Sequence, residues 1–348
     1  MQYDPHRRLV ILAEGYFGHR AKTAEGVIRY GKNPVVAVID STHVGKTVDE
    51  VIGVGEGIPF VRSVTESLTY GPDALLIGIA TQGGYLPEEW RAEILTALEH
   101  GLDVINGLHV FLSEDPEISR VAEEHGCELW DVRRPPEGNP IGLGLAADVS
   151  AQVVLTVGTD CDVGKMTAAL EIARGAERTA RKVAFLATGQ TGIMISGFGV
   201  PVDRVIGDFM AGCMEQLVIE WAKDHDLLLV EGQGSLYHPG YSGVTLALMH
   251  GSAPSHMILC HDVRRKVIGD DTRVVIPPLR EVVQMYEYMA APVRPARVVG
   301  IALKCLGLSD EEARRAVEWA ERETGLPATD CIRFGPEKLV TAVNEAKG

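Results

Sequence analysis

"GTDCDVGKMTAAL", residues 158–170, decides the fold of the second half of this 348-residue chain. An apolar run, "AQVVLTVG" (151–158), leads into it, and a helical pattern follows. A buried strand, a glycine, a short spacer, Gly-Lys and a helix form the arrangement that a diphosphate needs. The glycines let the backbone approach the phosphates and turn N–H groups inward. The helix N-terminus adds partial positive charge and the lysine a full one. Gly158 and Gly164 supply the bends and Lys165 the charge, with Thr159, Asp160, Met166 and Thr167 completing the expected cradle. The spacer is one residue longer than in the plain Walker pattern.

Met166 stands where nucleotide triphosphatases carry the hydroxyl that ligates Mg²⁺ between the β- and γ-phosphates. Thr167 follows it, but rotated by ~100° around the helix. The loop is therefore built to hold phosphates and poorly built for γ-phosphate chemistry. A ligand with a diphosphate and no transferable γ-phosphate suits it, and coenzyme A is one. ATP with Mg²⁺ is the alternative, with Thr167 or Asp160 as metal ligand. No resident metal site is expected.

Around this loop, short apolar runs alternate with amphipathic stretches. "RLVILAEG", "PVVAVID", "ALLIGIA", "DVINGLH" and "CELWDVR" read as strands of the first half. Helices are expected over 87–101 and 115–126, with Pro87 and Pro116 at their starts and Gly101 and Gly126 at their ends. The second half repeats the rhythm in "KVAFLATG", "DLLLVEGQG", "SHMILCHD" and "ARVVGIALKC". A helix is expected near 208–224 and another over 309–325, capped by Ser309 and ended by Gly325. This βαβ rhythm predicts an α/β protein of two parallel-sheet, three-layer domains. "RRPPEGNPIG" (133–142) interrupts it. The expected division is a first domain over 1–136, a linker over 137–150 and the phosphate-loop domain over 151–348. "DSTHVGKTVDE" (40–50) mimics a phosphate loop but lacks the first glycine, so it reads as a turn after a strand.

Composition bounds the function. With 46% hydrophobic and 23% charged residues the chain is globular. A net charge of −15 argues against nucleic-acid or anionic-membrane surfaces. Six scattered cysteines without a C-x-x-C pair point to reduced thiols in a cytoplasm. No run reaches the about 18 apolar residues of a membrane span. The expected partners are a small-molecule substrate and further copies of the chain.

A second glycine-rich stretch, "LLLVEGQGSLYHPG" (227–240), ends a strong strand. Strand ends of open parallel sheets carry ligands, so this loop and the phosphate loop are expected to face one crevice. Glu231 stands where a Walker-type acid would stand, or acts on an amine. His238 is the first candidate general base, and His261, beside Asp262, the second. Gln233 is a candidate oxyanion donor, and Ser235 a candidate substrate contact. "ATGQTGIMISGFGVPVD" (187–203) reads as too glycine-rich to pack, with Gln190 and Thr191 donating to a ligand. Gln82, Asn106 and His109 tip strands of the first domain. Arg133, Arg264 and Arg204 are the cations available to a substrate carboxylate.

Together "GTDCDVGKM", "ATGQTGIMI" and "EGQGSLYHPGYSGVTLALMHG" resemble a family long described as a domain of unknown function, and the loop itself resembles that of dethiobiotin synthetase. The family pairs a Rossmann-like N-terminal domain with a P-loop C-terminal domain, and one branch is D-glutamate N-acetyltransferase. The resemblance implies acetyl transfer from acetyl-CoA to the amine of a small acidic amino acid. The phosphate loop would hold the CoA phosphates, with Glu231 or His238 as base. The competing expectations are an ATP- and Mg²⁺-dependent ligase or kinase and a nucleotide-binding protein without turnover.

Overall fold

The computed structural model describes residues 3–79, 85–138, 140–269 and 273–346. Gln82 lies outside the described residues. The chain forms two compact units, one of residues 1–134 with 190–201 and one of 135–189 with 202–348.

In the first unit, strands β1 (Leu9–Leu12), β2 (Val35–Ile39), β3 (Phe60–Val61), β4 (Ala74–Ile77), β5 (Asp103–Asn106) and β6 (Leu129–Asp131) form a parallel sheet of order β3-β2-β1-β4-β5-β6. β1 and β4 are buried along their whole length, as expected of strands covered by helices on both faces. The helices Glu88–Glu99 and Pro116–His125 lie where sequence placed them, and Gly101 and Gly126 close their ends at φ 78° and 67°. At the false phosphate loop, Thr47 and Glu50 form a capping box that starts the short helix Val48–Ile52. Lys46 lies in the turn before that helix, its amide donating to the His43 carbonyl at 3.0 Å.

In the second unit, strands β7 (Gln152–Gly158), β8 (Val183–Leu186), β9 (Leu227–Val230), β10 (His256–Asp262), β11 (Arg297–Lys304) and β12 (Ala328–Thr329) order as β12-β11-β10-β7-β9-β8, again all parallel. β7 is central, with Val154 level with Leu229 on one side and Gly158 level with Cys260 on the other. The carboxyl ends of β7, β9 and β10 therefore converge. Val154, Leu229 and Ile258 form the core with the inner face of helix Lys165–Glu177. The helix Asp310–Thr324 has the Ser309 capping box, and Gly325 ends it at φ 72°. The proline-rich stretch is followed by chain whose amides at Leu143 and Leu145 donate to the buried Glu215 carboxylate at 2.9 and 2.5 Å.

Residues 190–201, set by sequence within the second domain, cluster with the first unit. Within them Gln190–Ser196 is a helix with five buried residues, not an unpacked loop. The run Ile193-Met194-Ile195 outweighs the cost of one helical glycine, which is about 1 kcal/mol. Among the described residues no helix is long and apolar enough to cross a membrane, and all six cysteines are free thiols.

Candidate functional site

The phosphate loop leaves β7 at Gly158 and turns into helix Lys165–Glu177. Two residues in the left-handed region, Asp162 at φ 56° and Gly164 at φ 95°, make the turn. Lys165 is only 7% exposed, because its side chain folds back over the loop and its ammonium donates to the Asp160 carbonyl at 2.7 Å. A Cβ at Gly158 would lie 2.8 Å from Val163 Cγ2 and 3.0 Å from the Asp160 carbonyl oxygen, with the Lys165 ammonium at 3.1 Å, so the tightly folded loop itself requires the first glycine. Gly232, at the end of β9, is required by the neighbouring strand β7. A Cβ there would overlap the Thr156 carbonyl oxygen and lie 3.1 Å from Lys165 Cδ.

The Asp160 carboxylate does not project from the loop. It is fully buried, with Oδ2 accepting from Arg265 Nη1 at 2.6 Å and the Gly269 amide at 2.7 Å, and Oδ1 accepting from the Cys161 amide at 2.7 Å. Arg265 thus clamps the loop from β10's side. Met166 is buried at 8% exposure and packs as a core residue, while Thr167 is half-buried. Thr159 is buried, its amide donating to the Cys260 carbonyl at 3.0 Å and its hydroxyl 3.0 Å from His261 Nδ1. Burial pushes the His261 pKa down to about 4 against the opposing charge of Asp262. The ring is therefore neutral at neutral pH and a feeble proton acceptor.

The loop after β9 is sewn to the phosphate loop. The Ser235 hydroxyl donates to the Thr159 carbonyl at 3.0 Å. The fully buried Tyr286 hydroxyl donates to the Gly158 carbonyl at 2.7 Å and accepts from the Leu236 amide at 3.2 Å. Burial raises its pKa to about 12, so it stays a donor at any working pH. Glu231 accepts the amides of Thr188 and Gly189 at Oε2, at 3.0 and 3.3 Å. Gln233 Nε2 donates to the Thr188 hydroxyl at 3.2 Å, and that hydroxyl donates to the Glu231 carbonyl at 2.7 Å. Two of the groups expected to do chemistry, Glu231 and Gln233, thus hold the β8 and β9 ends together. His238 accepts the Gly240 amide at Nδ1 at 3.1 Å. In the neutral ring this leaves the proton on Nε2, so that nitrogen is a donor. Donor atoms of Asp160, Cys161 and His238 lie within 4.8 Å of one another, a grouping of metal-ligand type. Asp160 is already engaged there by Arg265.

The remaining expected contacts are scattered. Gln190 and Thr191 belong to the first unit, where the buried Thr191 hydroxyl is 2.9 Å from that of Thr23. Arg133, also of the first unit, is buried and donates to the Gly107 carbonyl at 2.7 Å. Arg264 is half-exposed at the end of β10, with Nε 3.9 Å from Asp262. Sequence reasoning passed over Arg265, although "HDVRRK" after a strand end signalled basic residues there. It passed over Thr188, although that residue lies in the quoted strand-end stretch 187–203, and over Tyr286, for which no local signal exists.

Comparison with known proteins agrees with this architecture. Residues 41–135 match the family described as "Domain of unknown function (DUF1611_N) Rossmann-like domain", and 140–340 match "Domain of unknown function (DUF1611_C) P-loop domain". A protein of Tritonibacter scottomollicae named D-glutamate N-acetyltransferase is 42% identical over 284 residues, 81% of this chain and 84% of that protein. One of the same name from Pseudoalteromonas sp is 34% identical over 279 residues, 80% and 83% of the two chains. The crystal structure of a DUF1611 family protein from Anabaena variabilis superposes with a TM-score of 0.94 at 40% identity, covering 98% of this chain and all of that one. The chain belongs to the DUF1611 family, with its Rossmann-like N-terminal and P-loop C-terminal domains.

Proposed function

We propose that this protein is an N-acetyltransferase that moves an acetyl group from acetyl-CoA to the amine of D-glutamate or a close acidic relative. The observation that carries the reading is the phosphate loop. It keeps the lysine and the glycine bends, yet buries a methionine at the metal hydroxyl's position and commits its aspartate to Arg265. The relatives named D-glutamate N-acetyltransferase support the acyl-transfer class and the acceptor.

In this reading the loop amides that follow Cys161, up to Met166, hold the CoA phosphates with Lys165, because the Thr159 and Cys161 amides already bond Cys260 and Asp160. Lys165 gives up its bond to the Asp160 carbonyl when the anion arrives. The reacting sulfur of CoA lies a whole pantetheine arm away from its diphosphate. Groups touching the phosphate loop therefore seat the donor, and proton removal from the amine falls to a group farther out. Glu231 and Gln233 act as braces of the loop ends. His238, whose ring atoms lie close to Asp160 and Cys161 of the loop, donates its Nε2–H to a phosphate oxygen.

The test combines calorimetry of acetyl-CoA, CoA and ATP–Mg²⁺ with an assay for N-acetyl-D-glutamate. Acetyl-CoA should bind without metal. Lys165→Ala should raise its Michaelis constant roughly ten- to a hundredfold, the worth of one charge-assisted hydrogen bond. An unchanged constant removes the loop from donor binding, and turnover that requires ATP and Mg²⁺ overturns the acyl-transfer reading.

A further inference from the structure

The strand ends beside the phosphate loop form a corner that a diphosphate alone would not use. Gly158, where the loop leaves β7, is level with Cys260, and Asp262 at the end of β10 is level with Lys304 at the end of β11. β10 and β11 therefore run past the level at which the loop departs. Lys304 joins them to it. Its ammonium donates to the Asp162 carbonyl of the loop at 2.9 Å and lies 3.2 Å from Asp262 Oδ2.

The cations of this corner are not equally engaged. Arg265 pairs with Asp160 at 2.6 Å, and Arg333 with Asp310 at 2.9 Å. Arg264 differs from both. Its amide donates to Asp262 Oδ1 at 3.1 Å, which fixes the backbone. Its guanidinium stands 3.9 Å from that carboxylate, beyond hydrogen-bond reach. Among the described residues no other carboxylate pairs with it. The half-exposed side chain lies against the loop after β11, where a Cβ at Gly307 would come within 3.0 Å of Nη1. Arg264 and Lys304 thus share one carboxylate. That leaves positive charge beside the phosphate loop, in a chain whose net charge is −15.

Apolar surface adjoins this charge. The buried Asp330, just after β12, accepts the Cys305 amide at Oδ2 at 2.9 Å and the Ile332 and Arg333 amides at Oδ1 at 3.0 Å. One carboxylate ties the loops after β11 and β12 together. Leu306 and Ile332, on those two loops, stay exposed. Aliphatic side chains next to a guanidinium, at the carboxyl ends of a parallel sheet, suit a flat heteroaromatic ring that carries a phosphate.

CoA has such an end. On one side of its diphosphate runs the uncharged pantetheine arm. On the other stands adenosine with a phosphate on its 3′ oxygen, which ATP and 3′-dephospho-CoA lack. We propose that the adenosine end of the donor lies over the loops after β11 and β12, with Arg264 on its 3′-phosphate and Leu306 and Ile332 against the adenine ring. This placement rests on CoA being the ligand of the phosphate loop, and it gives the site a means of selecting CoA over ATP.

The probes are CoA and 3′-dephospho-CoA, titrated calorimetrically into the full chain at one ionic strength. The wild type should bind CoA roughly tenfold more tightly, the worth of one solvent-accessible charge-assisted contact. Arg264→Gln should weaken CoA by about that factor and leave 3′-dephospho-CoA unchanged, so that the preference disappears. Leu306→Ala, at an exposed position, should weaken both forms alike, by roughly three- to tenfold. Equal affinity of the wild type for the two forms overturns the proposal. So does an Arg264→Gln variant that weakens both equally or neither. A Leu306→Ala variant that binds both as the wild type does overturns the placement of the adenine. A 3′-phosphate preference without formation of N-acetyl-D-glutamate sinks the acyl-transfer reading and leaves the adenosine site standing. Acetyl transfer indifferent to the 3′-phosphate does the reverse.

Discussion

Tyr286→Phe isolates the bond that ties the phosphate loop to the loop after β9. The ring stays, so the core keeps its volume and no cavity opens. Only the oxygen goes, and with it the partner of the Gly158 carbonyl and of the Leu236 amide. A buried backbone group stripped of its partner costs about 1–3 kcal/mol. Leu236 is part-buried, so water recovers some of its share, and the expected loss is about 2 kcal/mol, carried mostly by the Gly158 carbonyl. For a unit of about 200 residues this lowers the midpoint of thermal unfolding by roughly 4–8 °C. Scanning calorimetry reads the shift, and amide exchange at Leu236 reads its place. A transition that moves by less than about 1 °C would mean that the hydroxyl is not a buried bridge, and would refute the account of how the two loops are held together.

Other outcomes follow from the same site. Asp160→Asn removes a buried carboxylate facing Arg265, and should cost about 2–3 kcal/mol of stability while tightening CoA, because a negative charge leaves the cradle; weaker CoA binding in the folded variant would contradict this. Gly232→Ala should lower stability by about 1–3 kcal/mol and weaken CoA binding, since the new methyl overlaps the Thr156 carbonyl and crowds Lys165; denaturant titration and calorimetry check both. For His261 the folded pKa, about 4, lies below the ordinary 6.5. The unfolded chain therefore binds the extra proton first as pH falls from 6.5 to 4. Stability should drop over that window by about 1.4 kcal/mol per pH unit at most, and His261→Asn should flatten that part of the acid-unfolding curve.

Much of this fold was legible because its signals are local. Gly101, Gly126 and Gly325 end their helices in the left-handed region, and Ser309 and Glu312 sit three apart as a capping box requires. The phosphate loop was legible for the same reason. What sequence missed is mostly long-range. Arg265 is 105 residues from Asp160, and Tyr286 is 128 from Gly158; no pattern along the chain links them. The roles expected of Glu231 and His238 rested on residue type and strand-end position. Their hydrogen bonds, set by neighbours on β8 and by the turn at Gly240, show what those groups are engaged in. The helix Gln190–Ser196 was misread because glycine count was weighed above the apolar run that buries it.

The excursion of residues 190–201 into the first unit has a consequence for how the protein is made. Tyr3 and Gly107 of that unit lie against this segment. The Tyr3 hydroxyl donates to the Ile195 carbonyl at 3.3 Å, and a side chain at Gly107 would meet Met194. During synthesis residues 1–134 emerge long before their last partner does. At about 5–20 residues per second, roughly 3–13 s pass before residue 201 is added. Over that interval the apolar surface that Ile193, Met194 and Ile195 later cover stays open on the nascent first unit, so its folding is completed only after part of the second unit has been made.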